Sequence, residues 1–354
     1  MRTSALAYLG GQWASNLLEV TSDLSRLDEG GRWAVVLPYS GPPVCARFAQ
    51  WTPDAPKDGI GEWVGPAGSA WASSMEEAAY LSAVAETREA IACGTVYQAN
   101  VCRVLTAPLP DPARADVAAL QRLLAAGNPS PFGGFLRLPE SRVHVATASP
   151  ELFLSVTRSS SGRTIRSGPI KGTGRTAADL SAKDAAENVM IVDLMRNDLS
   201  RVSATGSVTV PELLAVQNHP GLVHLVSYVE GRLEPSVGWP QLVEATFPPG
   251  SVTGAPKLSA LRLISALEPE SRSFYCGALG WVDADTGEAE LAVTIRTFWL
   301  DGHTVKFGTG AGITWGSDPT AEWRETELKA GRLIGVAAGI WPADPSTAWQ
   351  ADPS

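Results

Sequence analysis

The chain has 354 residues, with 28 Lys and Arg against 37 Asp and Glu, for a formal net charge of −9. It is 44% hydrophobic and 18% charged, which supports a buried core and excludes a disordered polymer. The acidic balance argues against a nucleic-acid or anionic-membrane surface, because both need clustered positive charge, but a small anionic substrate needs only a local positive pocket.

Along the chain, Thr3 to Gly11 holds an apolar run too short for a secretory leader, and no stretch approaches the ~20 apolar residues of a membrane span. Residues 1–75 are hard to read. Ala34–Leu37 and Val44–Phe48 look like strands around a Gly41-Pro42-Pro43 turn, and 52–74 read as loop. A helix starts at Glu76, with Tyr80, Leu81, Val84 and Ile91 at helical spacing and Gly94 placed to cap it. A second helix is expected over 113–126, and others over 181–199, 239–246, 255–268 and 319–338. Strands are expected at Val96–Leu105, Phe135–Leu138, Val143–Ala148, Leu152–Val156, Val208–Leu214, Leu222–Leu233, Gly277–Val282, Leu291–Leu300 and Val305–Phe307. Several adjoin through short turns, which favours antiparallel pairing. The tail from Pro342 to Ser354 is polar and Pro-rich and is expected to be loose. Cys45, Cys93, Cys102 and Cys276 form no C-x-x-C pair and read as reduced thiols of a cytosolic protein.

Asp184 and Glu187 lie three apart on one predicted helix, and Glu322 and Glu325 repeat that spacing on another, so each pair shares a helix face. A solvated face is the commoner origin of such pairs. The alternative is a hard cation such as Mg²⁺ held between two helices. Gly308 to Gly312 follow a strand. They form either a glycine-rich turn or a place where a carboxylate approaches backbone N–H groups. Thr294 and Arg296 share the polar face of an expected strand. That face is either in solvent or lines a cleft where the guanidinium binds a carboxylate. Lys329 follows Glu325 by four, the spacing of a simple ion pair. Lys171 sits in a tight Ser-Gly-Pro-Ile-Lys-Gly-Thr loop. A loop lysine is normally solvated, but in a confined pocket it can act as a nucleophile. Glu151 follows Pro150 and could be a general acid if buried. His224 lies between apolar residues, the usual setting of a core histidine.

Taken in order, these segments resemble a known family. Tyr97-Gln98-Ala99-Asn100, Ser149-Pro150-Glu151-Leu152-Phe153, Pro169-Ile170-Lys171-Gly172-Thr173, the run from Ala186 to Leu199, Thr253-Gly254-Ala255-Pro256-Lys257, and Gly310-Ala311-Gly312-Ile313 with Glu325-Thr326 resemble the chorismate-utilising enzymes. The resemblance covers roughly residues 76–335. It implies an α+β fold of two large, mainly antiparallel sheets in a sandwich with outer helices. It also implies a shortened N-terminal part over 1–75, a catalytic core over 76–341 and a loose tail over 342–354. Within the family, Lys at the position of Lys171 is similar to the aminodeoxychorismate synthases, whereas anthranilate synthases have Ala. Gln98 stands where water-adding members have a basic Lys, and an amide cannot take a proton from water.

The resemblance further implies residue roles. Mg²⁺ would be held by Glu187 and Glu325 with Asp184 and Glu322 in support. Gln98, Arg296, Lys329 and the Gly310, Ala311 and Gly312 segment would bind substrate. Glu151 would be the general acid and Lys171 the nucleophile, while Thr253 and His224 would orient the substrate. A glutamine amidotransferase partner would supply ammonia. The expected product is 4-amino-4-deoxychorismate, a precursor of p-aminobenzoate and folate. The alternatives are an anthranilate or 2-amino-2-deoxyisochorismate synthase, a silent or regulatory paralogue, and a carboxylate-binding protein. Departures from the pattern are Pro249 for a usual Gly, Trp281 for a usual Tyr, and Val20 after Leu17-Leu18-Glu19, which puts a tryptophan site in doubt.

Overall fold

The computed structural model describes residues 4–56, 59–160, 162–174, 176–219 and 222–340. The expected loose tail, 342–354, lies outside the described residues. The strands are β1 (Leu6–Leu9), β2 (Gln12–Thr21), β3 (Arg32–Leu37), β4 (Val44–Thr52), β5 (Ala72–Ser73), β6 (Gln98–Pro108), β7 (Phe132–Leu138), β8 (Val143–Ser149), β9 (Leu152–Ser159), β10 (Gly162–Gly168), β11 (Ile170–Gly174), β12 (Thr209–His219), β13 (Leu222–Arg232), β14 (Gly254–Ala255), β15 (Ala278–Asp283), β16 (Glu288–Val293), β17 (Thr297–Asp301) and β18 (Thr304–Ile313). The helices are α1 (Glu77–Ala92), α2 (Val117–Gly127), α3 (Ala182–Ser200), α4 (Trp239–Thr246), α5 (Lys257–Leu267) and α6 (Pro319–Ala337).

All pairings between these strands are antiparallel. One sheet runs β6–β18–β17–β8–β7–β1, with β5 and β14 on the outer side of β6. The other runs β2–β4–β3–β15–β16–β9–β10–β13–β12, with β11 also on β13. The β1–β2 hairpin joins them, so hydrogen bonding is continuous through both. The expected α+β sandwich is the fold observed.

Period-2 alternation sorts the side chains of the first sheet between two layers. Val104, Leu136, Leu138, Val145 and Trp299 share a core with Val35, Leu154, Leu279 and Leu291 of the second sheet. Their neighbours Leu105, Phe135, Ala146 and Phe298 face the other way, onto Leu120 and Leu124 of α2 and Leu333 and Val336 of α6. Each such aliphatic or aromatic side chain contributes about 1.5–3 kcal/mol by leaving water. On α1, Tyr80, Ala83, Val84 and Thr87 form the buried stripe, and Tyr80 meets Trp323 of α6 with ring centroids 5.6 Å apart.

Three expectations need correction. Leu291–Leu300 is not one strand: it breaks at Thr294–Arg296, where Arg296 takes the left-handed φ of +52°. The glycines from Gly308 to Gly312 are not a turn but the second half of β18. Lys171 lies on a short strand rather than in a loop. Within 1–75, the two expected strands are present as β3 and β4, joined by β1, β2 and the short β5 that were not expected.

Candidate active site

Two crossings between the sheets bring the candidate residues together. The chain leaves the first sheet after β8 and enters the second at β9, with Pro150 and Glu151 at the step. It returns between β16 and β17 through Thr294, Ile295 and Arg296. The crossings are stitched together, because Val293 N donates to Glu151 O (3.0 Å) and Ala148 N to Arg296 O (3.0 Å). Residues distant in sequence, Glu151 and Arg296, therefore become neighbours.

Glu151 is 4% exposed. Burial pushes its carboxyl up from 4.5 to about 7, against opposing effects from a Ser251 hydrogen bond and from Lys171, Arg296 and Lys329. Arg296 is pulled down to about 10, first by burial and then by Arg332, with Glu151 opposing. Lys171 Nζ donates to Ser251 O at 3.2 Å. Ser251 thus touches both Glu151, through its side chain, and Lys171, through its carbonyl. The turn that carries Ser251 is fixed by buried Arg272. Its guanidinium donates to Val252 O (2.8 Å) and Asn100 O (3.0 Å) and pairs with Glu268. Ser251 and Arg272 were not singled out from the sequence, since neither type is distinctive in a turn.

The glycines of β18 have a definite geometry. Asn100 N donates to Thr253 O (2.8 Å) and Cys102 N to Glu268 Oε1 (2.9 Å), so both amides turn away from β18. In an antiparallel ladder the residues opposite them must also turn away. Those residues are Gly312 and Gly310. β17 covers only Thr304–Phe307, so the amides of Gly310 and Gly312 face an edge that no described strand covers. Ala311 alternates with them, and its N–H is spent in the ladder toward Val101. Its expected backbone contribution to substrate binding is therefore withdrawn. Side chains are excluded here by crowding: a Cβ on Gly310 would lie 2.6 Å from Cys102 Sγ, and one on Gly312 would lie 2.4 Å from Gln98 Nε2. Gln98 is 1% exposed, and its Oε1 is buried without a hydrogen-bond partner among the described residues.

The acidic residues sit where α3 faces α6. Glu187 is raised by burial and by Glu322 and Glu325, with Lys171 and Lys183 opposing. Burial also raises Glu325, but Lys329, Lys183 and Lys171 outweigh it and hold the carboxyl below its ordinary value. Lys329 Nζ lies 2.6 Å from Glu325 Oε1 and donates to Gly310 O at 3.1 Å. Lys183, unremarked in the sequence, lies 2.9 Å from Glu322 Oε1 and 3.9 Å from Glu187 Oε1. Asp184 is differently employed. Its carboxylate accepts from Ser181 N (2.8 Å) and Ser181 Oγ (2.7 Å), capping α3. The expected direct support of a metal by Asp184 is withdrawn, since its carboxylate is spent on the cap; its side chain lies against Gly172, where an added Cβ would come within 2.9 Å of Asp184 Cβ.

Among the described residues, no three acidic, His or Cys groups converge as a finished metal cage. Glu322 and Glu325 nevertheless act on Glu187 as like charges, and carboxylate oxygens are the donor type that suits a hard divalent cation. Thr253 is buried, and its hydroxyl donates to Pro249 O (3.0 Å), leaving only acceptor capacity for a ligand. His224 is buried on β13, opposite Thr173 of β11 and Gln217 of β12.

A family model described as chorismate binding enzyme matches residues 63–335. Anthranilate synthase component 1 of Streptomyces coelicolor is 41% identical over 277 residues, 75% of this chain and 52% of that protein. Aminodeoxychorismate synthase component 1 of Klebsiella aerogenes is 38% identical over 280 residues, 75% of this chain and 59% of that protein. The chain thus matches between half and three-fifths of the length of these relatives. Among solved structures, anthranilate synthase component I from Streptococcus pneumoniae superposes with a TM-score of 0.74 at 24% identity, covering 93% of this chain and 89% of that one. The menaquinone-specific isochorismate synthase of Escherichia coli gives 0.78 at 17%, covering 95% and 89%. These two likenesses concern the fold.

Proposed function

This chain belongs to the chorismate-binding enzyme family, and from that premise we propose that it is an aminodeoxychorismate synthase component I, acting on chorismate with ammonia from a glutamine amidotransferase partner. The observation that carries this reading is the pairing of buried Glu151 with Lys171 across Ser251. An acid with a value near 7 beside an amine suits displacement of a hydroxyl, because the departing oxygen needs a proton at the moment the amine bonds.

In this mechanism Arg296, Lys329 and the Gly310 and Gly312 amides hold the enolpyruvyl carboxylate, and Lys329 exchanges its contacts with Glu325 and Gly310 to do so. The Gln98 Oε1 acceptor is satisfied by a substrate hydroxyl. Glu187 and Glu325, with Glu322 beside them, would hold Mg²⁺, which would supply positive charge to offset the ring carboxylate. Lys171 adds through Nζ to C2 of chorismate. The ring double bonds shift, and the C4 hydroxyl leaves as water with the proton of Glu151. Ammonia then adds at C4, the double bonds shift back, and Lys171 departs from C2 with its electron pair restored. His224 and Thr253 complete the wall beside this centre.

The Streptomyces coelicolor relative, at 41% identity, favours an anthranilate synthase as the second reading. Lys171 speaks against it, by its resemblance to the aminodeoxychorismate branch. Lys171→Ala is expected to abolish 4-amino-4-deoxychorismate formation, and mass spectrometry of the quenched wild-type reaction should find a substrate adduct on Lys171. Full activity in Lys171→Ala would refute the nucleophile.

A further inference from the structure

Lys183 is in the wrong place for a helix. Ser181 is the N-cap of α3, so Lys183 lies in the first turn, where the helix dipole disfavours a cation. Asp184, one residue on, suits that turn and caps it. Lys183 is compensated from elsewhere: its Nζ reaches across to α6 and meets Glu322 Oε1 at 2.9 Å, while Glu187 Oε1 of its own helix lies 3.9 Å away. The pair is lopsided. The Lys183 side chain is 45% exposed and that of Glu322 only 4%. Lys183 is the one cation within ion-pair distance of Glu322 among the described residues. A buried carboxylate without its partner is strongly unfavourable, so the Lys183–Glu322 pair ties α3 to α6.

We infer that Lys183 is a resident counter-ion of this acidic cluster, a positioning residue that keeps Glu187 and Glu322 together in the metal-free chain and that a divalent cation must displace. The inference rests on the proposed Mg²⁺ site and adds to it a competition. One ammonium and one divalent cation cannot both neutralise the same carboxylate oxygens. Binding of the cation therefore opens the Lys183–Glu322 pair and swings the lysine toward solvent, which its exposure permits. Site occupancy by the metal is in this way weakened by design of the chain itself, and the two helices remain joined when the metal is absent.

The test is calorimetric titration of the intact chain with MgCl₂, without chorismate, beside melting curves in EDTA and in Mg²⁺. Lys183→Met is expected to bind Mg²⁺ more tightly than wild type, by roughly fivefold or more, the usual scale of coupling between two sites. It should also melt lower than wild type in EDTA and gain more from Mg²⁺. Lys183→Arg, which keeps the charge, should restore the EDTA melting point and the weaker wild-type affinity. Should the Met variant not fold, Lys183→Gln carries the same expectation. Mg²⁺ binding by wild type with equal or weaker binding by the neutral variants would overturn the competition and leave the metal site standing. No Mg²⁺ binding by either chain would overturn both.

Discussion

Glu151 is the residue on which the proposed chemistry turns, and its environment makes a pH prediction with a definite sign. The folded chain holds this proton more tightly than an unfolded one, since burial lifts the carboxyl from 4.5 to about 7. Its contribution to stability is therefore whole below about 4.5 and is lost as pH climbs through about 7. Glu151→Gln should flatten that part of the stability–pH curve, measured by denaturant unfolding across the interval. The same variant should lose the activity limb that falls above about 7, where the acid has lost its proton. A falling limb that persists unchanged in Glu151→Gln would assign it to another group. Residue identity was legible here from the Pro-Glu-Leu-Phe segment. The burial was not, because it depends on two chain crossings far apart in sequence. Lys183 was missed for a related reason: a lysine in a first helical turn looks like any surface charge until α6 is seen opposite it.

At the scale of elements, β18 shows how backbone chemistry is exposed inside a sheet. Its alternation turns Gly310 and Gly312 to the open edge and Ala311 into the ladder, while the facing Cys102 and Gln98 leave no room for a side chain. Gly310→Ala places a Cβ 2.6 Å from Cys102 Sγ and 2.7 Å from Val101 O. It should destabilise by about 1–3 kcal/mol, the common range for overpacking. Chemical denaturation of this variant against wild type checks that value, and an unchanged midpoint would mean that β6 and β18 lie further apart. Helices were read well from sequence because their apolar spacing is strong: 239–246 coincides with α4, and Tyr80 and Val84 are buried on α1. Strands β10, β11 and the glycine half of β18 were not read as strands. Glycine and short polar segments carry no period-2 pattern, and only their partners reveal them. In β2, half-exposed residues blur the alternation in the same way.

Across the whole molecule, two sheets share a core while helices cover the outer faces, and the site forms where the chain passes from one sheet to the other. That placement would let an acidic protein receive the dianion of the proposed reaction. Arg296, Lys329 and Lys171 are gathered near one buried carboxyl, whatever the charge of the distant surface. The sandwich was legible only through family resemblance. Antiparallel runs are consistent with many folds, and the pairing of β3 with β15, or of β1 with β7, has no local signal. No described helix is long and apolar enough to cross a membrane. The central claim concerns the product. The direct measurement is to incubate the chain with chorismate, Mg²⁺ and an ammonium salt and to identify what forms by liquid chromatography and mass spectrometry. Formation of 4-amino-4-deoxychorismate is the predicted result; anthranilate as the product, or chorismate left unchanged, would contradict it.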